Sequence, residues 1–282
     1  MDIINEQKIR EKVRDNIKDF VDKFEKRYMR ELTDPTGVIN AKKNNAFVSE
    51  LGNEFMFYSA FCRSFDSSFG KVLEKLSNDI ADISYEVVLE DISSYLLPEQ
   101  IQRKSNIMNE YDKHVKPKIQ DYTSLQAYKP ENIDSFKKKH VTDNHFYNPD
   151  TKEHFIIELK AGGDLDIKKA KSEKEALLDE YFILKNALSD DEEKVRIYLA
   201  TAYNMFGEDN EWRQERVKQY FSDDELLIGK QYWNFVCDDE NGYNIIIDEY
   251  KMCSRYILDA LERIKNCLLY TSPSPRDISG SR

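Results

Sequence analysis

Between residues 141 and 203 the sequence alternates between extended and helical patterns, and this order constrains the fold more than any other feature. Residues 141–147 and 155–160 are extended runs joined by a turn-forming Asn-Pro-Asp-Thr segment, which predicts a β-hairpin. Apolar residues then recur at helical spacing over 165–188, and 195–203 has the composition of a buried strand. This order predicts an α/β fold, in which a crossover helix joins two strands of a mixed sheet.

The residues before this segment are predicted to be mostly helical. Residues 3–32 carry an apolar stripe at steps of three and four, formed by Ile9, Val13, Ile17, Phe20, Phe24 and Tyr28. Further helices are predicted over 45–62, after a cap at Ser67 and Ser68, and from Pro98 to before Pro117, and residues 117–135 are predicted as a loop with a short helical piece.

No segment is rich enough in Gly, Pro or Ser to divide the chain. One domain is therefore predicted over residues 1–266, with a helical part over 1–135 and an α/β core over 136–266. In that core, residues 222–237 and 243–266 are expected to cover the sheet.

Residues 267–282 read like a translated adaptor from a short-read sequencing library. We therefore expect the natural sequence to extend to about Asn266, with its true C-terminus missing. The alternative is a native tail rich in Pro and Ser. Without the tail the cysteines are Cys62, Cys237 and Cys253, whose scattered positions predict reduced thiols and no disulfide framework.

Charge and hydropathy exclude several classes of protein. The 282 residues are 40% hydrophobic and 34% charged, with a net charge of −11, which favours a globular chain and argues against a general nucleic-acid coat or a membrane-surface binder. No apolar run is long enough to cross a bilayer, and the N-terminus does not resemble a signal peptide. We therefore expect a soluble cytoplasmic protein without a membrane partner.

Three charged residues are expected to meet at the end of the predicted hairpin. A two-residue loop at Asp150 and Thr151 would place Asp143 directly opposite Glu158, and strand alternation would put Lys160 on the same face. Carboxylates and the main-chain carbonyl of Leu159 are the hard oxygen ligands that Mg²⁺ prefers. Such a site suits metal-dependent cleavage of a phosphodiester, with the lysine near the attacking water and the phosphate.

The alternative is that Glu158 and Lys160 form an ordinary exposed pair across two strands. The preceding Phe-Ile-Ile run is typical of a central strand, and charges at the end of a buried strand require a partner. Spacing alone leaves both interpretations open.

Thr142-Asp143 followed by Glu158-Leu159-Lys160 resembles the PD-(D/E)xK nuclease motif, with Thr in place of the usual Pro. More specifically, segment 63–70 with Glu74 resembles the N-terminal signature of the TdeIII-type type II restriction endonucleases. Further similarity lies within 168–186, at 201–204 with 207–208, at 226–229 and at 233–235.

The resemblance implies a restriction-endonuclease-like core and a Mg²⁺-dependent enzyme that makes double-strand breaks at a short palindromic site of GGNCC type. It also implies a homodimer, matching a two-fold DNA site, and a cognate DNA methyltransferase encoded nearby. Asp143 and Glu158 carry over as metal ligands, with Leu159 contributing its carbonyl, and Lys160 as the catalytic lysine. Glu74 carries over as an acidic residue beside this centre, although an ordinary surface glutamate remains an alternative. A different PD-(D/E)xK nuclease, for example one of DNA repair, and a non-catalytic DNA-binding module with the same fold also remain open.

Residues 137–171 contain eight Lys against six Asp or Glu, in a chain that is acidic overall. The residues predicted to contact DNA phosphates are Lys137, Lys138, Lys139, Lys168, Lys169 and Lys171. The four histidines all lie within 114–154, and His145 and His154 are expected to approach each other across the hairpin. No zinc site is predicted there, because ligand spacing is lacking.

Overall fold

The structure is a computed structural model that describes residues 3–34, 36–124, 137–162, 165–188 and 192–271. Most of the predicted 117–135 loop and the last residues of the tail lie outside these ranges. The chain divides into two compact units, one formed by Ser77–Tyr243 and the other by the described residues of Asp2–Leu76 and those from Asn244 onward. A single domain over residues 1–266 stays a prediction.

Long helices lie near both ends of the chain, and the strands lie between them. In chain order the elements are α1 (Ile3–Thr33), α2 (Val38–Ala41), α3 (Ala46–Ser49), α4 (Gly52–Ala81), β1 (Glu86–Val87), β2 (Ile92–Tyr95), α5 (Pro98–Asp112), α6 (Gln120–Thr123), β3 (Lys137–His140), β4 (Asn144–Asn148), β5 (Glu153–Lys160), α7 (Ile167–Ala187), β6 (Lys194–Thr201), α8 (Glu215–Lys218), β7 (Leu226–Ile228), α9 (Lys230–Val236) and α10 (Gly242–Thr271). None of the described helices is long and apolar enough to cross a membrane.

A five-stranded mixed sheet with the order β1-β4-β5-β6-β7 organises the first unit. β4 is antiparallel to both β1 and β5, whereas β5, β6 and β7 run parallel. The parallel pair β5 and β6 is joined through α7, because parallel neighbours require a crossover. The predicted α/β class, with helices flanking a mixed sheet, is confirmed.

The hairpin has the predicted register but a different turn. Asn144 lies opposite Ile157, and pairing ends at Asn148 and Glu153. The predicted pair of Pro149 with Lys152 is therefore wrong. The side chain of Asn148 instead accepts hydrogen bonds from the N–H groups of the two residues after Pro149, at 3.0 and 3.2 Å, and proline has no N–H to extend the ladder.

β5 is the central strand, and its side chains form part of the hydrophobic core. Ile156 and Ile157 are fully buried, and Ile156 belongs to a cluster that includes Leu177 and Leu178 of α7 and Leu199 of β6. The amphipathic pattern of 165–188 therefore identified the helix that packs on the sheet. Asp166 caps α7, since its carboxylate accepts the N–H of Lys169 at 2.8 Å.

Four short strands, β1, β2, β3 and β7, were not predicted from the sequence. β1 lies at the edge of the main sheet, and β2 pairs with β3 in a separate two-stranded sheet. β7 comes from segment 222–237, which joins the edge of the sheet as well as supplying α9. Strands of two to four residues are too short to show a clear alternation.

In the second unit, α1 packs its predicted apolar stripe against α4. All six stripe residues are buried, and Phe20 and Phe24 both contact the ring of Phe65. The predicted break at Ser67 and Ser68 is wrong, because α4 is continuous there. Aromatic rings recur every four residues across this point, in the order Phe57, Phe61, Phe65 and Phe69, and their packing outweighs the capping preference of serine.

The long helix α10 supplies the remaining contacts of the second unit from Asn244 onward. Glu249 accepts hydrogen bonds from both Nε and Nη2 of Arg14, at 3.0 and 2.9 Å. Arg263 pairs with Glu25 of α1 at 2.6 Å. The helical prediction for 243–266 is confirmed, and the residues from Asn244 onward belong to the second unit.

Candidate active site

Asp143 lies immediately before β4, where the hairpin brings it beside the end of β5. Its Oδ2 accepts the N–H of Leu159 at 3.2 Å. The main chain is held in place by a polar network, since the Asn78 amide donates to the Asp143 carbonyl at 3.5 Å and accepts from the Asn144 amide at 2.8 Å. Tyr232 in turn donates to Asn144 at 3.1 Å. The carboxylate is thus fixed to the central strand.

Glu158 and Lys160 meet Asp143 at this end of β5, as the hairpin register predicted. The Lys160 ammonium forms an ion pair with Glu158 and a second one with Glu173 of α7, at 2.8 Å. The side chains of Glu158, Lys160 and Glu173 are 17%, 25% and 22% exposed. The interpretation of Glu158 and Lys160 as an ordinary exposed pair therefore does not hold.

Burial and mutual proximity shift the pKa values of the two carboxyl groups. Burial raises the pKa of Asp143 above its usual range, although Lys160 and the Leu159 N–H act in the opposite direction. Burial and the adjacent Asp143 together raise the pKa of Glu158 to about 7. Without a further positive charge, this pair of carboxyl groups resists full ionisation.

For Lys160 the neighbouring charges outweigh the effect of burial on the pKa. Burial acts to lower the pKa of Lys160, but the carboxylates of Glu158 and Glu173 outweigh burial, and the pKa is raised. Lys160 is therefore held as an ammonium in this structure. A fixed positive charge at this position suits the stabilisation of a negatively charged phosphate.

The donor set fits a hard divalent cation. Asp143 and Glu158 supply carboxylate oxygens, and the carbonyl of Leu159 lies on the same strand end as the N–H that contacts Asp143. Among the described residues, no three His, Cys, Asp or Glu side chains are grouped so as to hold a metal ion as they stand. In this structure the Glu158 carboxylate is paired with the ammonium of Lys160.

Two further glutamates of α7, which the sequence reasoning missed, lie close to this centre. Glu173 contacts Lys160, and Glu180 accepts a hydrogen bond from the hydroxyl of Thr142 at 3.4 Å. Burial, followed by the charge of Glu158, raises the pKa of Glu180 to about 8. The sequence did contain a signal for them, because Glu173 and Glu180 lie four residues before and three residues after Leu177. This spacing puts both glutamates on the apolar face of the helix.

The Thr142 contact also gives a role to the threonine that stands where the motif resembled by this sequence usually has proline. A proline has no side-chain donor and could not make the bond to Glu180. Glu180 is only 3% exposed, and His140 approaches its other oxygen at 3.4 Å.

A second ionic cluster involves α7 one residue after Glu173. Lys174 is fully buried and forms an ion pair with Glu225, which is 1% exposed. Glu225 also accepts hydrogen bonds from Tyr122 at 2.9 Å and from the N–H of Ser222 at 2.8 Å. The Lys174 ammonium lies 5.0 Å from the centroids of the Tyr122 and Phe221 rings. This cluster fixes the rotation of α7 about its axis.

Comparison with known protein families identifies the class of enzyme. The model of the type II restriction endonuclease HinfI matches residues 5–254. The chain belongs to the HinfI family. It is therefore a type II restriction endonuclease, a site-specific deoxyribonuclease. No curated protein and no solved structure matches the chain. The predicted enzyme class is confirmed, whereas the TdeIII kind stays a prediction.

The lysines predicted to contact DNA occupy two places in the HinfI-family chain. Lys137, Lys138 and Lys139 form part of β3 and are exposed, with Lys139 paired to Asp91 at 2.5 Å. The others lie in the first turns of α7, where Lys168 and Lys169 are exposed and Lys171 pairs with Asp112 at 2.6 Å. Their contact with DNA stays a prediction.

The remaining candidates have different surroundings. Glu74 lies on α4 in the second unit, and its membership of the catalytic centre stays a prediction. His145 and His154 approach each other as predicted, with Nε2 and Nδ1 at 3.0 Å. Both are buried, which lowers their pKa values, that of His145 to about 4. In this structure the two neutral rings are partners of each other.

Proposed function

We propose that this HinfI-family enzyme hydrolyses both strands of DNA at a short palindromic site and requires Mg²⁺. The observation that supports the proposal most directly is the grouping of Asp143, Glu158 and Lys160 at the end of the central strand. Two partly buried carboxyl groups with raised pKa values are the kind of site that a divalent cation stabilises in ionised form.

In this mechanism Asp143, Glu158 and the carbonyl of Leu159 would hold Mg²⁺. When bound, the cation neutralises charge on the scissile phosphate and makes water a better nucleophile. Lys160 keeps its proton and holds its ammonium beside the phosphate, where negative charge grows in the transition state. The Leu159 N–H holds Asp143 against β5, so that the two carboxylates keep their spacing.

We further propose that the enzyme acts as a homodimer, because a two-fold protein matches a two-fold DNA site and supplies one catalytic centre for each strand. A cognate methyltransferase would protect the host chromosome, which places both proteins in the cytoplasm with that chromosome. A GGNCC-type target rests on the TdeIII resemblance, and mapping the fragment ends would test it.

Intact phage DNA incubated with the protein and Mg²⁺ should give discrete fragments on an agarose gel, and an excess of EDTA should prevent cleavage. Discrete bands are expected because each double-strand break occurs at one sequence. A smear or structure-selective nicking would instead indicate another kind of nuclease. Absence of Mg²⁺-dependent cleavage would favour a non-catalytic DNA-binding module.

The exposed lysines of β3 provide a test of the DNA-binding surface. Replacing Lys137 and Lys138 with glutamine should weaken binding to cognate and unrelated DNA equally, because phosphate contacts carry no sequence information. The slope of log K against log salt should fall by about 0.9 for each phosphate that is no longer neutralised. Lys152→Gln removes a lysine from the hairpin turn as a control. An unchanged slope in the β3 double variant would contradict this assignment.

A further inference from the structure

Lys160 lies between two carboxylates that come from different elements of the fold. Glu158 is two residues before it on β5, and Glu173 reaches it from α7, with Oε1 at 2.8 Å from Nζ. The three side chains are each at most one-quarter exposed. A partly buried ammonium with two anionic partners is held more firmly than one with a single flexible partner.

The proposed function assigns two tasks to Glu158 that compete with each other. Its carboxylate would bind the divalent cation, yet the same carboxylate is the nearest partner of Lys160. If Glu158 were the only partner, the ammonium and the cation would compete for its oxygens. A cation that displaced the lysine would also leave a partly buried charge without a counter-charge, which is costly.

We propose that Glu173 is the positioning residue for Lys160. It holds the ammonium at the edge of the centre, so that Glu158 is available to the divalent cation while Lys160 stays beside the phosphate. The proposal rests on the proposed function of Asp143, Glu158 and Lys160 as a metal-dependent hydrolytic centre.

The fold supports this role through the rigidity of α7. The neighbouring residue, Lys174, is locked into the core by Glu225, and the helix packs against both β5 and β6. Glu173 is therefore presented from a fixed helix and not from a loop. Glu180 cannot replace it as the partner of Lys160, since its oxygens face Thr142 and His140.

The first experiment measures cleavage by Glu173→Gln, Glu173→Asp and a matched control, Glu175→Gln. The control removes a carboxylate from the same helix and leaves the Lys160–Glu173 pair intact. Glu173→Gln should lower kcat about 10- to 100-fold, as expected when a charged hydrogen bond is removed, with KM changed less than about twofold. Glu173→Asp should recover part of the loss, and Glu175→Gln should behave like the wild type.

The second experiment measures Mn²⁺ binding to the DNA-free protein by calorimetry, with and without Lys160→Ala. Removing Glu173 leaves the ammonium to Glu158 alone, so Glu173→Gln should raise the Kd for Mn²⁺ roughly fivefold when Lys160 is present. In the Lys160→Ala background the same change should have less than about a twofold effect. This difference is the coupling that a positioning role requires.

Three outcomes would overturn the proposal. One is equal weakening of Mn²⁺ binding in both backgrounds, which would mean that Glu173 acts on the cation itself. The others are an unchanged kcat in a folded Glu173→Gln protein and no recovery by Glu173→Asp. A wild-type protein that binds Mn²⁺ but cleaves no DNA would instead refute the proposed function, and the Mn²⁺ measurements would still decide the role of Glu173.

Discussion

Replacing Glu158 with alanine is expected to abolish DNA cleavage while leaving DNA binding largely intact. Glu158 is the carboxylate that lies between Asp143 and Lys160 at the end of the central strand. Its loss removes a proposed metal ligand and should cost about 4 kcal/mol of transition-state stabilisation, or roughly 1,000-fold in rate. Cleavage of phage DNA with Mg²⁺, measured under single-turnover conditions, provides the readout.

The same variant should lose no affinity for DNA, although it loses cleavage. Glu158→Ala removes a negative charge from a site that we propose approaches a phosphate, so affinity in EDTA should be unchanged or increased. Glu153→Ala, on the same strand, is a matched control because it removes a carboxylate that pairs with the half-exposed Arg196 at 2.8 Å. Full activity in Glu158→Ala would refute the assignment of this centre.

Replacing Lys174 with methionine is expected to lower the stability of the fold much more than the same replacement at the half-exposed Lys171. Methionine has a similar length, but it leaves the Glu225 carboxylate buried without its cation. Breaking one side of a buried pair costs about 3–5 kcal/mol in the free energy of unfolding. Equilibrium urea denaturation, followed by circular dichroism, should show a lower midpoint with an unchanged slope.

Lys171→Met is the control for that experiment, because Lys171 forms its ion pair with Asp112 at a half-exposed position on the same helix. This change should cost less than about 1 kcal/mol. Equal destabilisation by the two substitutions would show that the Lys174 cluster contributes no more than a surface pair.

The sequence was sufficient to predict the centre of the fold and the meeting of Asp143, Glu158 and Lys160. The hairpin pairing is centred between Asp150 and Thr151 as predicted, although the turn is longer than the predicted two-residue loop. Side chains also alternate along a strand, which puts Glu158 and Lys160 on one face. The apolar run before Glu158 also correctly indicated a central strand, with Ile156 and Ile157 fully buried.

Other features depend on packing between distant segments, which a single sequence does not display. Glu173 reaches Lys160 only because the crossover helix returns over β5, and β7 joins the sheet after a long intervening segment. The continuity of α4 through Ser67 and Ser68 depends on aromatic contacts with α1. In each case contacts between distant segments determined the structure, and the local sequence preference either did not specify it or favoured a different one.

The adjacency of Glu173 and Lys174 also restricts how this enzyme can tolerate insertions. Each residue added to a helix turns the following side chains by about 100°. One extra residue in the first turns of α7 would therefore carry Lys174 away from Glu225 and Glu173 away from Lys160 at the same time. Insertions between β5 and Glu173 should be tolerated only in the loop before α7, where they do not rotate the helix. A scan of single-residue insertions should therefore show activity lost from the start of α7 onward.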